Sequence, residues 1–417
     1  MTRMVYSGGT VFDGTGASPT PADVVVESGR ILDVGVGLDG DEVVDCTGTT
    51  VLPGLFDCHV HVTMSTIDPL TIARRPFSLQ FYEAAENLRR TLAVGVTSVR
   101  DAGGADLGIQ TAQATGLIAG PRMRIAISML SQTGGHGDYW QVSGCELPMF
   151  VAHPGRPSGL VDGPEQMRRK VRELIRAGAD VIKVATSGGV LSPRDDPRHG
   201  HFRDAEIAVL VEEATAAGIF VMAHAQATEG IKVAIRNGVR SIEHGIYLDD
   251  EAIGMMLDRG TWLVPTLVAP RGVIEAAEAG MGLPPAVVAK ARMVMEQHTD
   301  SVRRAIDAGV RVAMGTDSGV TPHGQNLREL PLMAGCGMTP EQVLHATTLS
   351  AARLLGVDRE LGSLEPGKRA DLVIIDGDAL ALDDLDRRVR AVYQDGRLVS
   401  GVSEPGLRPG GGPGRPV

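Results

Sequence analysis

The stretch VLPGLFDCHVHV, residues 51–62, decides the fold prediction because it has the composition of a buried β-strand. Pro53 and Gly54 mark its start, and an apolar run leads into His59 and His61. Residues i and i+2 of a strand point to the same face. Two imidazoles therefore project side by side into one interior space, a geometry suited to a metal ion. A His-x-His pair also occurs by chance and in turns, so further ligands are needed downstream.

Outward from this stretch, short β-rich runs alternate with helical segments up to Gly319. The helical segment PEQMRRKVRELIRAGAD, for example, places Met167, Val171 and Leu174 at helical spacing. The seven further runs are VTSVRDAG, RMRIAISML, DVIKVATSGG, IFVMAHAQ, RSIEHG, TWLVPTLV and RVAMGTDSG. Eight alternating β and α units predict an α/β fold of the (β/α)8 TIM-barrel type over residues 53–359.

The two chain ends have a different pattern from the middle. Residues 1–52 and 360–402 contain strand and turn sequences such as VVVESGRILDVG and ADLVIIDGD, with few helix signals. We expect the two ends to pair into one composite β-domain, a small β-sandwich. Residues 403–417 are rich in proline and glycine, which predicts a disordered tail.

The amino-acid composition limits the classes of partner that the chain is expected to bind. The 417 residues include 51 acidic and 40 basic residues, a formal net charge of -11, without a basic stripe for nucleic acid. The four cysteines are dispersed and form no Cys-x-x-Cys pair, which favours a reduced, cytoplasmic setting. The sequence shows neither a signal peptide nor a long apolar stretch. We therefore expect a small-molecule substrate, no nucleic-acid or membrane partner, and association of copies as an open possibility.

Four more candidate ligands lie near strand ends, where barrel enzymes carry their chemistry. Lys183 lies in the fourth strand, His224 and His244 end the fifth and sixth, and Asp317 ends the eighth. Each has a structural alternative. A core histidine can be satisfied by a carbonyl group, and an aspartate can cap the following helix.

Lys183 is the most specific of these candidates because lysine is rarely buried without a partner, and here it interrupts an apolar strand. Burial that depresses its pKa leaves a neutral amine, which can react with carbon dioxide to give a carbamate with two oxygen ligands. A salt bridge to a carboxylate is the alternative.

Together these residues resemble the amidohydrolase superfamily, in its binuclear-metal subtype with a carboxylated lysine. The segments GTVFDGTG, SGGVLSPRDDP and LGSLEPGKRADLVIID are similar to the imidazolonepropionase-related branch, particularly its Xaa-Pro dipeptidase and carboxypeptidase-like members. The metal-ligand set in chain order is His59, His61, Lys183, His224, His244 and Asp317.

The resemblance implies two divalent ions. His59, His61 and Asp317 would hold one, His224 and His244 the second, and carboxylated Lys183 would bridge them. Zinc is the predicted metal, although manganese, cobalt and iron also accept these ligand types. A metal-bridging hydroxide would attack an amide carbonyl, with Asp317 taking the proton and delivering it to the departing amine.

The long connection after the third strand carries further candidates. His136 in TGGHGD is the predicted catalytic donor to the oxyanion, with a flexible glycine-loop histidine as the alternative. Tyr139, Trp140 and Phe150 lie in the same connection. These rings either close over an apolar substrate side chain, with Tyr139 as a substrate contact, or pack the loop onto the barrel.

Two more residues are predicted to contact substrate. Many dipeptidase-like relatives carry a tyrosine or another bulky residue near Gln226, so a recognition contact is missing or replaced there. His323 in TPHGQN follows Asp317 closely, with helix capping or surface exposure as its alternative. For His199 and His201, which lack strand context, exposure or loop packing is the preferred interpretation.

The leading functional interpretation is a metal-dependent amidohydrolase acting on a dipeptide or an N-acyl amino acid with an apolar side chain. One alternative is hydrolysis of a non-peptide carbon–nitrogen bond in a cyclic amide, urea or carbamate. A second is a non-catalytic relative that keeps the fold for association.

Overall fold

The computed structural model describes residues 2–192 and 194–401, which form an α/β structure. The predicted tail, residues 403–417, lies outside the described residues. The strands are β1 Arg3–Ser7, β2 Thr10–Val11, β3 Thr20–Pro21, β4 Asp23–Glu27, β5 Arg30–Gly35, β6 Glu42–Asp45, β7 Thr49–Pro53, β8 Leu55–Val60, β9 Val96–Asp101, β10 Arg122–Ile125, β11 Met129–Leu130, β12 Val181–Ala185, β13 Phe220–Ala225, β14 Ser241–His244, β15 Trp262–Val264, β16 Leu372–Asp376, β17 Val389–Gln394 and β18 Arg397–Gly401.

Helices follow most of the central strands. They are α1 Pro69–Arg74, α2 Leu79–Ala93, α3 Leu107–Ala114, α4 Pro164–Arg176, α5 Asp204–Ala216, α6 Thr228–Arg236, α7 Asp250–Arg259, α8 Val268–Glu278, α9 Pro285–Asp307, α10 Glu329–Gly335, α11 Pro340–Thr347 and α12 Leu349–Leu355, with short 3-10 turns at Asn326–Arg328 and Leu385–Arg388. In α4 the residues at helical spacing, Met167, Val171 and Leu174, are fully buried, as the sequence pattern predicts.

The central strands run parallel in two sheets. One has the order β10-β9-β8 and the other the order β11-β12-β13-β14-β15. Strands β8, β9 and β12 are buried along their whole length, as expected for parallel strands covered on both faces. The chain passes directly from β10 to β11, with Ile127 at a φ of 67° between them. The carboxyl ends of all these strands therefore lie at one edge.

The eighth predicted run, RVAMGTDSG, differs from its prediction as a regular strand. It pairs through single bridges, Val312 with Leu263 and Ser318 with Val60, so it joins β15 to β8. Gly315 packs close to its neighbours, because an added Cβ there would lie 2.4 Å from Val264 Cγ1. Asp317 has a φ of 59°, which turns the chain out of extended geometry. The close packing at Gly315 and the turn at Asp317 together interrupt regular strand pairing in this run.

Strands from both chain ends share sheets. One sheet has the order β5-β4-β1-β6, and the other, β18-β17-β16-β7-β2-β3, contains strands from both ends. Leu372 of β16 pairs with Pro53 of β7 in antiparallel register. The two sheets contribute to one apolar cluster, in which the rings of Tyr6 and Tyr393 meet edge to face at 5.1 Å. Within the described ranges, no helix has the length and hydrophobicity needed to cross a membrane.

We expect two helical glycines to respond oppositely to alanine. At Gly230 in α6 a Cβ would lie 2.2 Å from the carbonyl oxygen of Thr186, whereas at Gly254 in α7 it would meet nothing within 4 Å. Gly230→Ala should destabilise the fold by about 2 kcal/mol, because backbone has to shift. Gly254→Ala should stabilise it by about 1 kcal/mol through helix propensity. Urea unfolding of both variants checks this, and equal effects would contradict the close packing of α6 against the end of β12.

Candidate metal centre

The structure brings the six predicted metal ligands together at the carboxyl ends of the parallel strands. They line one cavity of about 70 Å³. Strand β8 carries His59 and is followed directly by His61, and the two ring centroids lie 5.5 Å apart. The spacing argument from the sequence therefore agrees with their placement. Lys183, His224 and His244 lie on β12, β13 and β14, and Asp317 follows the bridged segment.

Two of the histidines have one ring nitrogen held by a fixed acceptor. His59 Nδ1 lies 2.8 Å from Glu243 Oε2, and His61 Nδ1 lies 2.7 Å from the carbonyl oxygen of Gly103. Because both acceptors lack a proton, Nδ1–H donates in each ring. The lone pair is then left on Nε2, which in both histidines faces Asp317.

The other two histidines are fixed in the same way. His244 Nδ1 lies 2.6 Å from Thr266 Oγ1, and that hydroxyl donates to the Pro265 carbonyl at 2.7 Å, so the ring nitrogen is the donor. His224 Nε2 donates to the carbonyl of Gly188 at 3.0 Å. Such a bond on the nitrogen away from the ion is the usual arrangement of metal-binding histidines. Four imidazoles with fixed tautomers therefore supply four lone pairs.

Asp317 completes a compact cluster of ligand atoms. Its Oδ1 lies 3.2 Å from His61 Nε2 and 3.5 Å from His59 Nε2. One ligand atom each from Asp317, His59 and His244 lie within 4.8 Å of one another. Burial by itself raises the pKa of Asp317, but the adjacent histidines and Lys183 lower it below the usual range. Imidazole nitrogens and a carboxylate suit zinc and similar divalent ions, so the donor set fits the predicted metal.

The backbone at these positions is strained. His244 and Asp317 have φ values of 72° and 59°, and Thr266, which holds the His244 ring, has a φ of 53°. Left-handed geometry costs non-glycine residues on the order of 1 kcal/mol or more and persists only where the surroundings enforce it. The strain thus lies at two candidate ligands and at the residue that orients one of them.

Lys183 is fully buried, with Nζ 3.3 Å from His59 Nε2. Among the described residues no carboxylate oxygen lies within 4.0 Å of this amine, so they provide no salt bridge. Burial lowers the pKa of Lys183 to about 8, although Glu243 and Asp317 partly oppose the shift. An appreciable neutral fraction is then present near neutral pH, and this is the form that reacts with carbon dioxide.

A buried ion pair that the sequence pattern did not reveal supports this cluster. Arg100 on β9 binds Glu243 on β14 at 2.8 Å, and its Nε donates to the Cys58 carbonyl at 2.6 Å. Glu243 also receives His59 Nδ1–H, so it links three strands. The available signal was the same as for Lys183, a charged residue interrupting an apolar strand.

His136 lies against the candidate ligands. Its ring stacks on His224 with a centroid distance of 4.2 Å and an interplanar angle of 16°. Its Nδ1 is 2.7 Å from Ser192 Oγ and 3.7 Å from Asp195 Oδ2. Lys290 on α9 donates to the carbonyls of Gly189 and Ser192, which fixes this loop. The histidine is therefore held in place, unlike a histidine in a free glycine loop.

The aromatic residues of the long connection divide into two groups. Tyr139 and Phe150 line the cavity, and burial raises the pKa of the tyrosine. Trp140 is 45% exposed, and the guanidinium of Arg194 lies 5.3 Å from its ring centroid. The connection therefore directs some of its aromatic rings into the site and one to the surface.

The two other predicted substrate contacts have different surroundings. Gln226 is buried and lines the cavity, and its Oε1 has no hydrogen-bond partner within the described structure. His323 lines a neighbouring cavity; its Nε2 donates to the His61 carbonyl at 3.1 Å and its Nδ1 lies 3.3 Å from Thr91 Oγ1. Burial lowers the pKa of His323 to about 4. Its role as a substrate contact stays a prediction.

The second His-x-His pair, His199 and His201, does not line this cavity. His201 is buried, with its backbone N–H donating to the Thr186 carbonyl, and His199 is exposed. Both placements agree with the loop packing and exposure preferred from the sequence.

A family model for amidohydrolases matches residues 50–399. The chain belongs to the amidohydrolase family. Membership indicates a hydrolytic enzyme, and it confirms the family resemblance recognised in the sequence.

Similar proteins agree with the suggested branch. An ochratoxinase from Aspergillus niger is 35% identical over 382 residues, covering 87% of this chain and 77% of that protein. An imidazolonepropionase from Geobacillus sp. (strain WCH70) is 27% identical over 397 residues, covering 85% and 83%. The crystal structure of a Xaa-Pro dipeptidase with methionine bound in its active site is 33% identical, covers 95% of this chain and 99% of that one, and has a TM-score of 0.87. These neighbours imply a TIM-barrel-like α/β fold.

We expect Glu243→Gln to weaken both folding and metal retention. The change leaves Arg100 buried without its anion and makes the His59 tautomer ambiguous, since an amide can donate as well as accept. Breaking a buried pair in this way costs about 3 kcal/mol or more. Chemical denaturation and metal analysis check this. Glu212→Gln, at a side chain that is 66% exposed, is the matched control and should change stability by less than about 0.5 kcal/mol. Similar behaviour of the two variants would refute the supporting role of Glu243.

Proposed function

We propose that this chain is a binuclear metal-dependent hydrolase that cleaves the amide bond of a dipeptide or an N-acyl amino acid with an apolar side chain. The observation that carries the proposal is the set of four fixed histidine tautomers around one cavity. Core histidines need only one satisfied nitrogen each, whereas here the second ring nitrogens of His59 and His61 face Asp317, and His224 and His244 line the same cavity.

The ligand assignment follows the family resemblance. His59, His61 and Asp317 hold one ion, and His224 and His244 hold the second. Carboxylated Lys183 would supply the remaining oxygen ligands to both ions, and zinc is the proposed metal. Support comes from the ligand atoms of Asp317, His59 and His244, which lie within 4.8 Å of one another, and from the buried amine next to His59.

When bound, such ions lower the pKa of water and polarise a carbonyl group. Asp317 accepts a proton from the attacking water and returns it to the departing amine nitrogen. His136, stacked on His224, gives its Nδ1–H to Ser192, whose hydroxyl donates to Asp195, so it donates to the oxygen of the carbonyl under attack from Nε2–H in its doubly protonated form. Tyr139 and Phe150 cover the cavity and exclude water from the reacting groups.

The cavity lining favours an apolar substrate. Beyond the candidate ligands it is formed mainly by aliphatic and thioether side chains, with Tyr139, Gln226 and Ser192 among its few polar groups. The apolar residues are Met64, Met129, Met149, Phe150, Val190, Leu191, Ile246, Ala269, Pro270, Val273 and Val320. Burying an apolar substrate side chain against this lining contributes about 25 cal/mol of free energy per Å² of surface removed from water.

The same lining supports a second candidate function. Among the described residues that line the cavity there is no arginine, and Lys183 is the one lysine. A dipeptide or N-acyl amino acid carries a carboxylate, which usually calls for a cationic partner. Hydrolysis of a neutral cyclic amide, urea or carbamate needs no such partner, so this reaction is the alternative.

We also propose the finer architecture expected from the sequence. The bridged segment at Val312 and Ser318 supports a closed (β/α)8 barrel over residues 53–359. The shared apolar cluster supports a composite β-sandwich from residues 1–52 and 360–402. The dispersed cysteines, without a Cys-x-x-Cys pair, support the reduced cytoplasmic setting, and association of copies stays a prediction.

Metal content and substrate preference test the function together. Protein purified without added metal or chelator should contain about two ions per chain. Protein stripped of metal should regain activity with zinc and bicarbonate, and less with zinc in carbon-dioxide-free buffer, because Lys183 must be carboxylated. The panel pairs each apolar N-acyl amino acid with its neutral carboxamide and with cyclic amides, ureas and carbamates.

The outcomes separate the two candidates. Preference for the carboxylates supports the dipeptide or N-acyl amino acid assignment, and preference for the neutral compounds supports the alternative. A chain that cannot be loaded with metal would refute both.

Asp317→Asn tests the proton transfer. The amide can still offer an oxygen to a metal but cannot take up a proton, so we expect turnover to fall by about 10³-fold with little change in the unfolding midpoint. Metal analysis of the variant separates loss of the base from loss of an ion. Asp250→Asn, at a side chain that is 95% exposed, is the control and should keep full turnover. Full activity of the Asp317 variant would exclude it as the proton carrier.

A further inference from the structure

A second, larger cavity of about 900 Å³ lies at the amino ends of the parallel strands, opposite the candidate metal centre. Phe220 begins β13, Arg240 directly precedes β14, and Trp262 begins β15. Four arginines line the cavity: Arg240, Arg259, Arg311 and Arg353. Asp358 is the one carboxylate among its described lining residues. A concentration of positive charge is unexpected in a chain whose net charge is -11.

Two of these guanidinium groups are held in place. The Arg240 guanidinium lies 3.8 Å from the Phe220 ring centroid, and its Nε and Nη2 each donate at 2.7 Å to carbonyls at the end of α12. The Arg311 guanidinium lies 4.6 Å from the Trp262 ring centroid and donates to the Gly260 carbonyl. Arginine has five N–H donors, so each retains donors for another acceptor. Stacking and backbone contacts reduce the ordering that binding an anion would require.

The arginines at this cavity are not paired with carboxylates. None of the four guanidinium groups has a carboxylate oxygen within 4.0 Å in the described structure. Five of the described helices, α6, α7, α9, α11 and α12, end at or beside the cavity, and each carboxyl terminus contributes about half a negative charge. Together with Asp358 these termini offset most of the formal positive charge, but they leave guanidinium N–H donors without a carboxylate partner.

We propose that this cavity binds a small dianion of the phosphate class, either inorganic phosphate or a phosphate monoester. Planar guanidinium groups bind phosphate oxygens through paired N–H donors, and the four arginines without a carboxylate partner supply such donors on one cavity wall. Arg259 and Arg353 are exposed at the rim, where they can close on the anion without disturbing the core. The site lies at the opposite strand ends from the proposed reaction and does not depend on it.

Calorimetric titration of the full chain with inorganic phosphate at low ionic strength tests the proposal. The double variant Arg259→Gln/Arg353→Gln should bind phosphate at least about tenfold more weakly, because two charge-assisted contacts are lost. Arg169→Gln/Arg176→Gln is the matched control. It removes two exposed arginines from α4, including one in the last turn of a helix, and should bind like the parent chain. Phosphate bound at the metal centre would contribute equally to both variants.

The outcomes are distinct. Weaker phosphate binding by the Arg259/Arg353 variant alone supports the site. Titration with glycerol 2-phosphate then distinguishes inorganic phosphate from a phosphate monoester, because tighter binding of the ester identifies an organic phosphate. Equal binding by both variants, equal weakening of both, or no binding by the parent chain would each overturn the proposal. The single variant Arg353→Gln should keep the unfolding midpoint of the parent chain. Weaker phosphate binding by this variant therefore cannot be caused by loss of folding.

Discussion

The buried pair between Arg100 and Glu243 is the interaction on which the candidate metal centre depends. Removing two charges from water costs several kcal/mol per ion unless geometry and further hydrogen bonds compensate. Here Cys58 and Ser241 accept two further N–H groups of the arginine, and His59 donates to the carboxylate. These bonds link β8, β9 and β14 and leave the His59 lone pair facing the cavity. The Glu243 carboxylate thus stabilises the contact between the strands and also orients His59 as a ligand.

The strand ends must leave regular geometry in order to aim ligands at one space. In a regular strand His244 would point to the face opposite Glu243, whereas a φ of 72° turns it inward, where its ring centroid lies 4.6 Å from that of His224. Asp317 makes a similar turn at 59°. The strain is supported by backbone contacts, since the N–H of Asp317 donates to the His59 carbonyl at 2.7 Å. The fold therefore supplies the free energy needed to hold the ligands in place.

The sequence predicted the α/β class, the family and the convergence of the six candidate ligands, because strand periodicity and strand ends are local properties. It missed Glu243 and Arg100, whose importance comes from pairing across strands that are far apart in the chain. It also overestimated the regularity of the eighth run, since the interruption at Gly315 depends on contact with Val264. His323 followed a candidate ligand closely in sequence, yet the fold directs it to the carbonyl behind His61. Proximity along a loop does not determine which cavity a side chain lines.

The two ends of the parallel strands have opposite electrostatic requirements, and the topology explains why. Helices in a βα unit run back against the strands, so their carboxyl termini gather where the strands begin. Arg240 and Arg311 bind carbonyls at two of these termini, which draws positive charge to that end. At the other end the strands finish in histidines whose protons are bound outward, so lone pairs converge and call for cations. The repeated βα connection therefore provides one edge suited to cations, where the histidine lone pairs converge. At the opposite edge the arginines outnumber the helix termini that they cap, so that edge is suited to an anion.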